Sequence, residues 1–311
     1  MKQKLTTPDG TPISQYCFGA MQFGGNADEN TSRDMFDACR AAGINFFDTA
    51  YGYTDGKSET ILGSLVAAER DKLFVATKCA GSGGASAQNI HGQFDQSRQR
   101  LGMDVVDLLY IHMWDNDTPL EETFETLAGL VQNGSIRYIG VSNFAAWQVM
   151  KAQHIAQGMG TEISMLQPMY NLVKRQVEVE ILPMAASEGI AVCPYSPLGG
   201  GLLSGKYANG HTGRLTTNKM YASRYSEDWM YKVATALSEV AEDLGVAPAT
   251  LAVAWAARHP AVTAPIISAR SVKQLEPSLQ AMSYDMDDDV YERITALSPT
   301  PPPATDRSET T

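Results

Sequence analysis

The sequence predicts an α/β fold, a closed (β/α)8 (TIM) barrel entered through an N-terminal β-hairpin. Three observations predict it. Eight β-rich runs follow one another along the chain. Helical signals separate most of them. The chain has 311 residues, a length that suits eight βα units closed on themselves. Alternation of this kind implies right-handed crossovers and a parallel sheet. An open doubly wound sheet is the rival, but it would carry a Gly-rich fingerprint at its first turn. Here the first run continues as GAMQFGG, without that fingerprint.

The elements are justified in order. Asp9-Gly10, between short polar flanks, reads as the turn of a hairpin ahead of the barrel. The β runs are 16–21, 44–48, 73–78, 106–112, 137–142, 163–167, 190–194 and 262–268. A helix is expected from Asp34 to Ala42, stopped by Gly43. Another starts near Ser58 and buries Ile61, Leu62, Leu65 and Val66. The clearest helix start is Thr118-Pro119-Leu120-Glu121, with an N-cap, a proline at the first helical position and a capping glutamate. Leu120, Phe124, Leu127 and Val131 then make one apolar face, and Gly134 closes the helix. Residues 199–228 show no clear periodicity and are expected to form a long loop or lid. Residues 299–311, rich in Pro, Ser and Thr, are expected to be a mobile tail. With no linker composition and no solenoid repeat, 1–311 is read as one barrel domain.

Composition narrows the function classes. Asp and Glu number 35 against 24 Lys and Arg, a net charge of -11. That excess argues against broad binding to nucleic acid or to an anionic membrane, and leaves room for a local basic pocket. No apolar stretch approaches the roughly 20 residues that span a bilayer. The start, MKQKLTTPDGTPIS, lacks the apolar core of a signal peptide. Cys17, Cys39, Cys79 and Cys193 lie far apart with no paired spacing, so reduced thiols and a cytoplasmic location are expected.

Several motif-like stretches fail on their chemistry. The run from Gly200 to Tyr207 nearly matches a phosphate-binding P-loop, but Tyr207 stands where a hydroxyl for magnesium is needed. The stretch from Gly81 to Ser86 lacks the third glycine of a dinucleotide fingerprint. Asp285, Asp287 and Asp289 open like a calcium loop, but Val290 and Ala296 replace the required glycine and glutamate. These carboxylates are expected at a helix N-terminus instead. The histidines are scattered, and no metal site is expected.

Four polar residues survive. Asp48, Lys78 and His112 end the second, third and fourth β runs, and Tyr53 lies five residues after Asp48. In a parallel barrel these strand ends share one face, where catalytic groups collect. Each alone has an ordinary explanation as a cap, packing or a snorkelling amine. All four on one rim is a far less ordinary coincidence.

With these residues the chain resembles the aldo-keto reductases over nearly its whole length. The matching stretches are FFDTAYGYTDGKSETILG, FVATK, DVVDLLYIHMWD, IRYIGVSNF, LQPMYNL, PYSPLGGGLLSGKY and PIISARSVKQL, in the family's order. HMWDNDTPLEET and SNFAAWQ look most like bacterial branches related to potassium-channel β subunits. The resemblance implies a barrel with an N-terminal hairpin and a catalytic tetrad of Asp48, Tyr53, Lys78 and His112. Tyr53 would be the general acid, with its pKa of about 10 lowered by Lys78. Asp48 would hold Lys78, and His112 would orient the carbonyl oxygen.

The resemblance also implies NADPH (NADP+) as cofactor, with NADH as the alternative. Ser142, Asn143 and Gln167 would bind the nicotinamide carboxamide, and Tyr195 would stack on the ring. Ser196, Pro197, Leu198 and Lys206 would grip the pyrophosphate. Ser268, Arg270 and Gln274 would follow from the eighth βα loop, with Arg270 forking onto a 2′-phosphate. Met21 and Asp48 are also expected to bind the cofactor. Pro277-Ser278 stand where relatives often carry an adenine-contacting Glu-Asn, so Ser278 takes the asparagine's place. Ala20 stands where relatives often have Thr. Met21, Phe23, Tyr51 and Trp114 are expected to line the pocket for a small-molecule carbonyl substrate, with Tyr221, Tyr225 and Trp229 over it. The expected activity is reduction of aldehydes or ketones to alcohols by direct hydride transfer. The alternatives are an NADP(H)-binding regulatory or sensing protein with little turnover, and a Schiff-base aldolase using Lys78.

Overall fold

The computed structural model describes residues 5–209 and 212–305. Eight parallel strands stand side by side in the order β7-β6-β5-β4-β3-β2-β1-β8. They are β1 (Cys17–Gly19), β2 (Phe46–Asp48), β3 (Phe74–Cys79), β4 (Val106–Ile111), β5 (Ile136–Ser142), β6 (Ile163–Gln167), β7 (Ala191–Val192) and β8 (Ile266–Ile267). The barrel closes between β7 and β8 through short backbone contacts rather than a strand ladder. Thr263 N donates to Val192 O at 2.8 Å, Ala264 N to the same oxygen at 3.2 Å, and Ile266 N to Pro194 O at 2.9 Å.

Strand alternation sorts the side chains into two cores. Cys17, Phe46, Phe74, Ala76, Leu108, Tyr110, Met165 and Cys193 fill the barrel interior. Their neighbours Phe18, Phe47, Val75, Leu109 and Val141 face outward beneath the helices. Asp48 shares the parity of Phe46, and Lys78 that of Phe74 and Ala76. Both therefore turn into the barrel at its C-terminal mouth. Gly140 on β5 leaves room for the Tyr110 ring, since a Cβ there would lie 2.4 Å from Tyr110 Cδ1.

The other mouth is plugged. The N-terminal hairpin is a single antiparallel bridge, Thr6 to Pro12, turning at Gly10 with φ 89°. Its Leu5 and Ile13 pack into the interior core. Buried Asp107 on β4 ties the plug to the barrel. It accepts Val75 N at 2.8 Å and Arg137 Nη1 at 2.7 Å, and that same nitrogen donates to Thr6 O at 2.6 Å. Arg70 Nη2 stands 2.7 Å from the other carboxylate oxygen.

The helices are α1 (Glu29–Ala41), α2 (Lys57–Val66), α3 (Ala87–Leu101), α4 (Leu120–Gln132), α5 (Ala146–Gly158), α6 (Ile181–Glu188), α7 (Arg214–Thr217), α8 (Lys219–Arg224), α9 (Asp228–Asp243), α10 (Pro248–Arg258), α11 (Val272–Gln280) and α12 (Asp288–Thr295). Two helix starts differ from the sequence expectation. α1 begins five residues before Asp34, because Asp28 caps it by accepting Thr31 N at 2.8 Å. α4 is not capped by Thr118. That hydroxyl donates to Asp115 Oδ2 at 2.6 Å, and Pro119 occupies the cap position. Gly134 does end α4, with φ 77°. Asp287 caps α12 by accepting Val290 N at 2.7 Å, the helix-terminus role expected of that acidic run.

Residues 199–228 are not an irregular loop. They carry 3-10 turns at Gly199–Ser204 and Lys206–Asn209, then α7 and α8. Of this lid segment, 210–211 lie outside the described residues. The expected mobile tail, 299–311, is described only to 305. Among the described residues no single helix is long and apolar enough to cross a membrane.

Candidate active site

The inward parity of Asp48 and Lys78 brings them together beneath the C-terminal mouth. Lys78 Nζ donates to Asp48 Oδ1 and, at 2.7 Å, to Thr49 O. Gln167 at the end of β6 donates Nε2 to the other Asp48 oxygen at 2.9 Å. Both ionic groups are buried, so each depends on the other. The chain after β2 keeps pairing with β3: Thr49 N donates to Ala76 O at 2.9 Å and Tyr51 N to Lys78 O at 3.0 Å. This carries Tyr53 over the amine. Lys78 Nζ stands 5.0 Å from the Tyr53 ring centroid. The His112 ring meets the Tyr53 ring edge-on, with centroids 5.8 Å apart at 81°. Thus the structure brings the four predicted groups together.

Burial sets their protonation. It pulls the Lys78 ammonium down, but the charges of Asp48 and Tyr53 lift it to a net value above the ordinary one. It pushes the Tyr53 phenol up, more than the neighbouring ammonium pulls it down. The sequence expectation of a lowered Tyr53 pKa is therefore corrected: desolvation outweighs the single positive neighbour. Burial and the Lys78 charge depress His112 to about 3, so its imidazole is neutral near pH 7. The arrangement offers a neutral phenol and a neutral imidazole above a buried ammonium.

Next to this cluster, β5 and β6 supply amides. Ser142 Oγ donates to Gln167 O at 2.9 Å, and Asn143 Nδ2 donates to His112 O at 2.9 Å. Asn143 adopts φ 60°, a left-handed conformation that asparagine tolerates. Tyr195 donates its hydroxyl to Asn143 Oδ1 at 2.7 Å. Ser196 follows with φ 59°, turning the chain into Pro197, Leu198 and the glycine run. Gly199, Gly200 and Gly201 all have positive φ, from 56° to 95°. A Cβ on Gly201 would lie 2.7 Å from Lys206 Nζ.

These loops also bring basic side chains near one another in an acidic protein. Burial, then the charges of Arg270 and Arg214, push the Lys206 ammonium below its ordinary value. Ser268 Oγ, after β8, is buried with no hydrogen-bond partner among the described residues. Three neighbouring cations, and an unpartnered hydroxyl on the loop that carries Arg270, fit a phosphate-bearing ligand. Gln274 does not face such a ligand with its carbonyl, which accepts Arg270 N at 3.3 Å and so shapes the loop. Ser278 is a correction. It is 1% exposed within α11 and has no surface to offer an adenine ring.

The expected substrate residues divide. Met21 is half-buried. Phe23 has no exposed surface and packs against Phe18 at 5.5 Å, which corrects its placement from pocket to core. Tyr51 lies beneath the Arg100 guanidinium at 4.7 Å. Trp114 packs edge-on against Phe144 and Trp147 and donates Nε1 to Asn116 at 2.7 Å. Tyr221 and Tyr225 are buried, turned inward against Gly200 and Gly199. Trp229 lines a cleft of about 510 Å³, whose other walls include Asn143, Phe144, Met169, Tyr195 and Pro299. The cleft flanks the four-residue cluster on the β5–β7 side; Tyr53, Lys78 and His112 are not among its walls.

Sequence reasoning missed Arg214, Phe144, Met169 and the wall made by Pro299. Arg214 sits in a segment without periodicity, where only its charge was a signal. Pro299 belongs to a stretch whose composition pointed to a solvated tail.

The profile of the aldo/keto reductase family matches residues 15–299. Individual relatives cover the chain almost fully. An uncharacterized oxidoreductase of Bacillus subtilis is 33% identical, with 94% of each chain aligned. A probable voltage-gated potassium channel subunit beta of Oryza sativa is 32% identical over 98% of this chain and 99% of its own. A norsolorinic acid reductase of Emericella nidulans is 32% identical over 91% of this chain and 78% of its own.

Proposed function

The chain belongs to the aldo/keto reductase family of oxidoreductases, and on that premise we propose that it reduces aldehydes or ketones to alcohols with NADPH. The observation that carries the proposal is the buried Lys78–Asp48 pair lying 5.0 Å beneath the Tyr53 ring, with neutral His112 across from it. The nucleotide, when bound, supplies the hydride. Ser142, Asn143, Gln167 and Tyr195 would hold its nicotinamide. Ser196, Pro197, Leu198, Lys206, Ser268 and Arg270 would hold its phosphates, with Arg214 joining them.

The protein's own residues then handle charge and proton. A carbonyl accepting hydride develops negative charge on oxygen, and a donor must meet it there. Neutral His112 donates a hydrogen bond to that oxygen and orients it. Tyr53 donates its hydroxyl proton to the same oxygen as the charge grows. Lys78 stabilises the phenolate left behind, and Asp48 keeps Lys78 charged in place. Lys78 acts here as a fixed charge rather than as a nucleophile, since its ammonium is held protonated by Asp48. General acid catalysis of this kind contributes roughly 10²–10⁴-fold. Tyr221 and Tyr225, packed against Gly200 and Gly199, would cover the nucleotide loop rather than the substrate. All four cysteines are buried, and a reducing, cytoplasmic setting is part of the proposal.

NADPH oxidation with a panel of small and aromatic aldehydes tests the proposal. Turnover that Tyr53→Phe removes, with NADPH binding retained, supports it. No turnover across the panel by nucleotide-loaded protein overturns it. In that case tight NADP(H) binding with a stable protein partner would favour a regulatory role, the reading that similarity to a channel subunit suggests.

A further inference from the structure

Beside the four converging groups lies a further ionic pair, between a buried carboxylate and a half-buried guanidinium. Glu59, in α2, is fully buried. Its Oε1 accepts the Thr77 hydroxyl at 2.6 Å, and Thr77 immediately precedes Lys78 on β3. Its Oε2 accepts Arg100 Nη1 at 3.1 Å. Arg100 comes from the last turn of α3, and the same nitrogen donates to Tyr51 O at 2.9 Å. The guanidinium also fills the space beside Gly56, where a Cβ would lie 2.4 Å from Arg100 Cζ. One side chain therefore touches both ends of the six-residue segment 51–56, and Tyr53 lies inside it.

Local hydrogen bonds, Tyr53 N to Ala50 O at 3.1 Å and Ser58 N to Thr54 Oγ1 at 3.0 Å, leave the segment's backbone in an unfavourable conformation. Thr54 and Asp55 adopt φ 49° and 54°, and Gly56 follows at φ 85°. Two non-glycine residues in succession in the left-handed region are unfavourable unless the surroundings enforce them. Thr54 Oγ1 donates to Phe23 O at 2.7 Å, which fixes the middle. Arg100 fixes the ends. An ion pair with one fully buried charge is seldom the most stable filling for such a space, because apolar side chains of similar volume often do as well or better. What an apolar residue cannot do is grip the Tyr51 carbonyl and be anchored at once to the strand that carries Lys78.

We infer that Arg100 and Glu59 are positioning residues, which set the Tyr53 hydroxyl relative to Lys78 and to the substrate oxygen. Glu59 couples the two frames: through Thr77 it is tied to the Lys78 strand, and through Arg100 to the Tyr53 segment. The inference rests on Tyr53 being the proton donor proposed above.

The test uses the full chain and Arg100→Met, Arg100→Lys and Glu59→Gln. An inactive wild-type protein would defeat the proposed activity itself and is read separately. With an active wild type, Arg100→Met should lower kcat about 10- to 100-fold, the scale of a misplacement near 1 Å. The KM for NADPH should stay within about twofold, since no nucleotide contact is touched. Arg100→Lys should recover part of the loss. In protein without nucleotide, the amides of Tyr51 to Gly56 should exchange faster in Arg100→Met than in wild type. A lowered Tm with kcat unchanged well below it would overturn the inference, as would unchanged exchange across 51–56. If Arg100→Met does not fold, Glu59→Gln keeps the side-chain shape and is read by the same kcat, KM and exchange measurements.

Discussion

His112 shows how burial decides chemistry one residue at a time. Its folded pKa lies near 3 against an ordinary value of 6.5, from desolvation and then the Lys78 charge. Between those two pH values the unfolded chain binds a proton on His112 that the folded protein refuses. Stability is therefore fully present above pH 6.5 and falls as pH drops through that window. Replacing it by His112→Gln should flatten the loss of urea-measured stability between about pH 6.5 and 4. An unchanged slope would mean that His112 is charged in the fold. Tyr53→Phe should reduce kcat by roughly 10²–10⁴-fold while NADPH binding by fluorescence titration stays nearly unchanged. The four polar residues were legible in the sequence because each terminates or follows a β run. The raised Tyr53 pKa was not, since desolvation depends on the packing above the ring rather than on the neighbour in the motif.

At the scale of elements, strands read clearly and helix starts less so. The β runs are continuous apolar stretches, as strands covered on both faces should be, and each run contains its observed strand to within a residue or so. α1 starts early because Asp28 captures its first free amides, a local competition that apolar spacing does not record. Thr118 lost its cap role to a carboxylate three residues back. The loops after β7 and β8 gather Lys206, Arg214 and Arg270, and the last two come from segments that no periodicity connects. Arg270→Ala should weaken NADPH by roughly tenfold and NADH much less, if its charge meets the 2′-phosphate. Equal weakening of both, by calorimetry, would remove it from that role. On β5, Gly140→Ala would press a methyl into the Tyr110 ring and should destabilise by about 1–3 kcal/mol or more. A urea midpoint equal to wild type would show that the ring can move aside.

The whole molecule divides its labour between its two ends. Chemistry-bearing groups gather at the C-terminal mouth, while the hairpin, Asp107 and Arg137 stopper the opposite one. Arg137→Met should lower stability by about 1–3 kcal/mol with kcat unchanged. A changed kcat would mean that the two ends communicate. This division was legible only in outline. Asp9-Gly10 announced a hairpin, but nothing in the local sequence tells Arg137 to reach a carbonyl 131 positions away.

The join between β7 and β8 carries one more consequence. Elsewhere neighbouring strands are laced by ladders; here three backbone donors, on Thr263, Ala264 and Ile266, are joined only by Val192 N donating to the Thr263 hydroxyl at 3.1 Å. The loops that follow those same two strands carry Lys206 and Arg214 on one bank and Arg270 on the other. A dinucleotide lying across them would act as a suture over the weakest stave of the cask. Amide exchange at those three positions should be rapid in the ligand-free protein and slow sharply once NADPH is added, whereas β4 and β5 should scarcely respond.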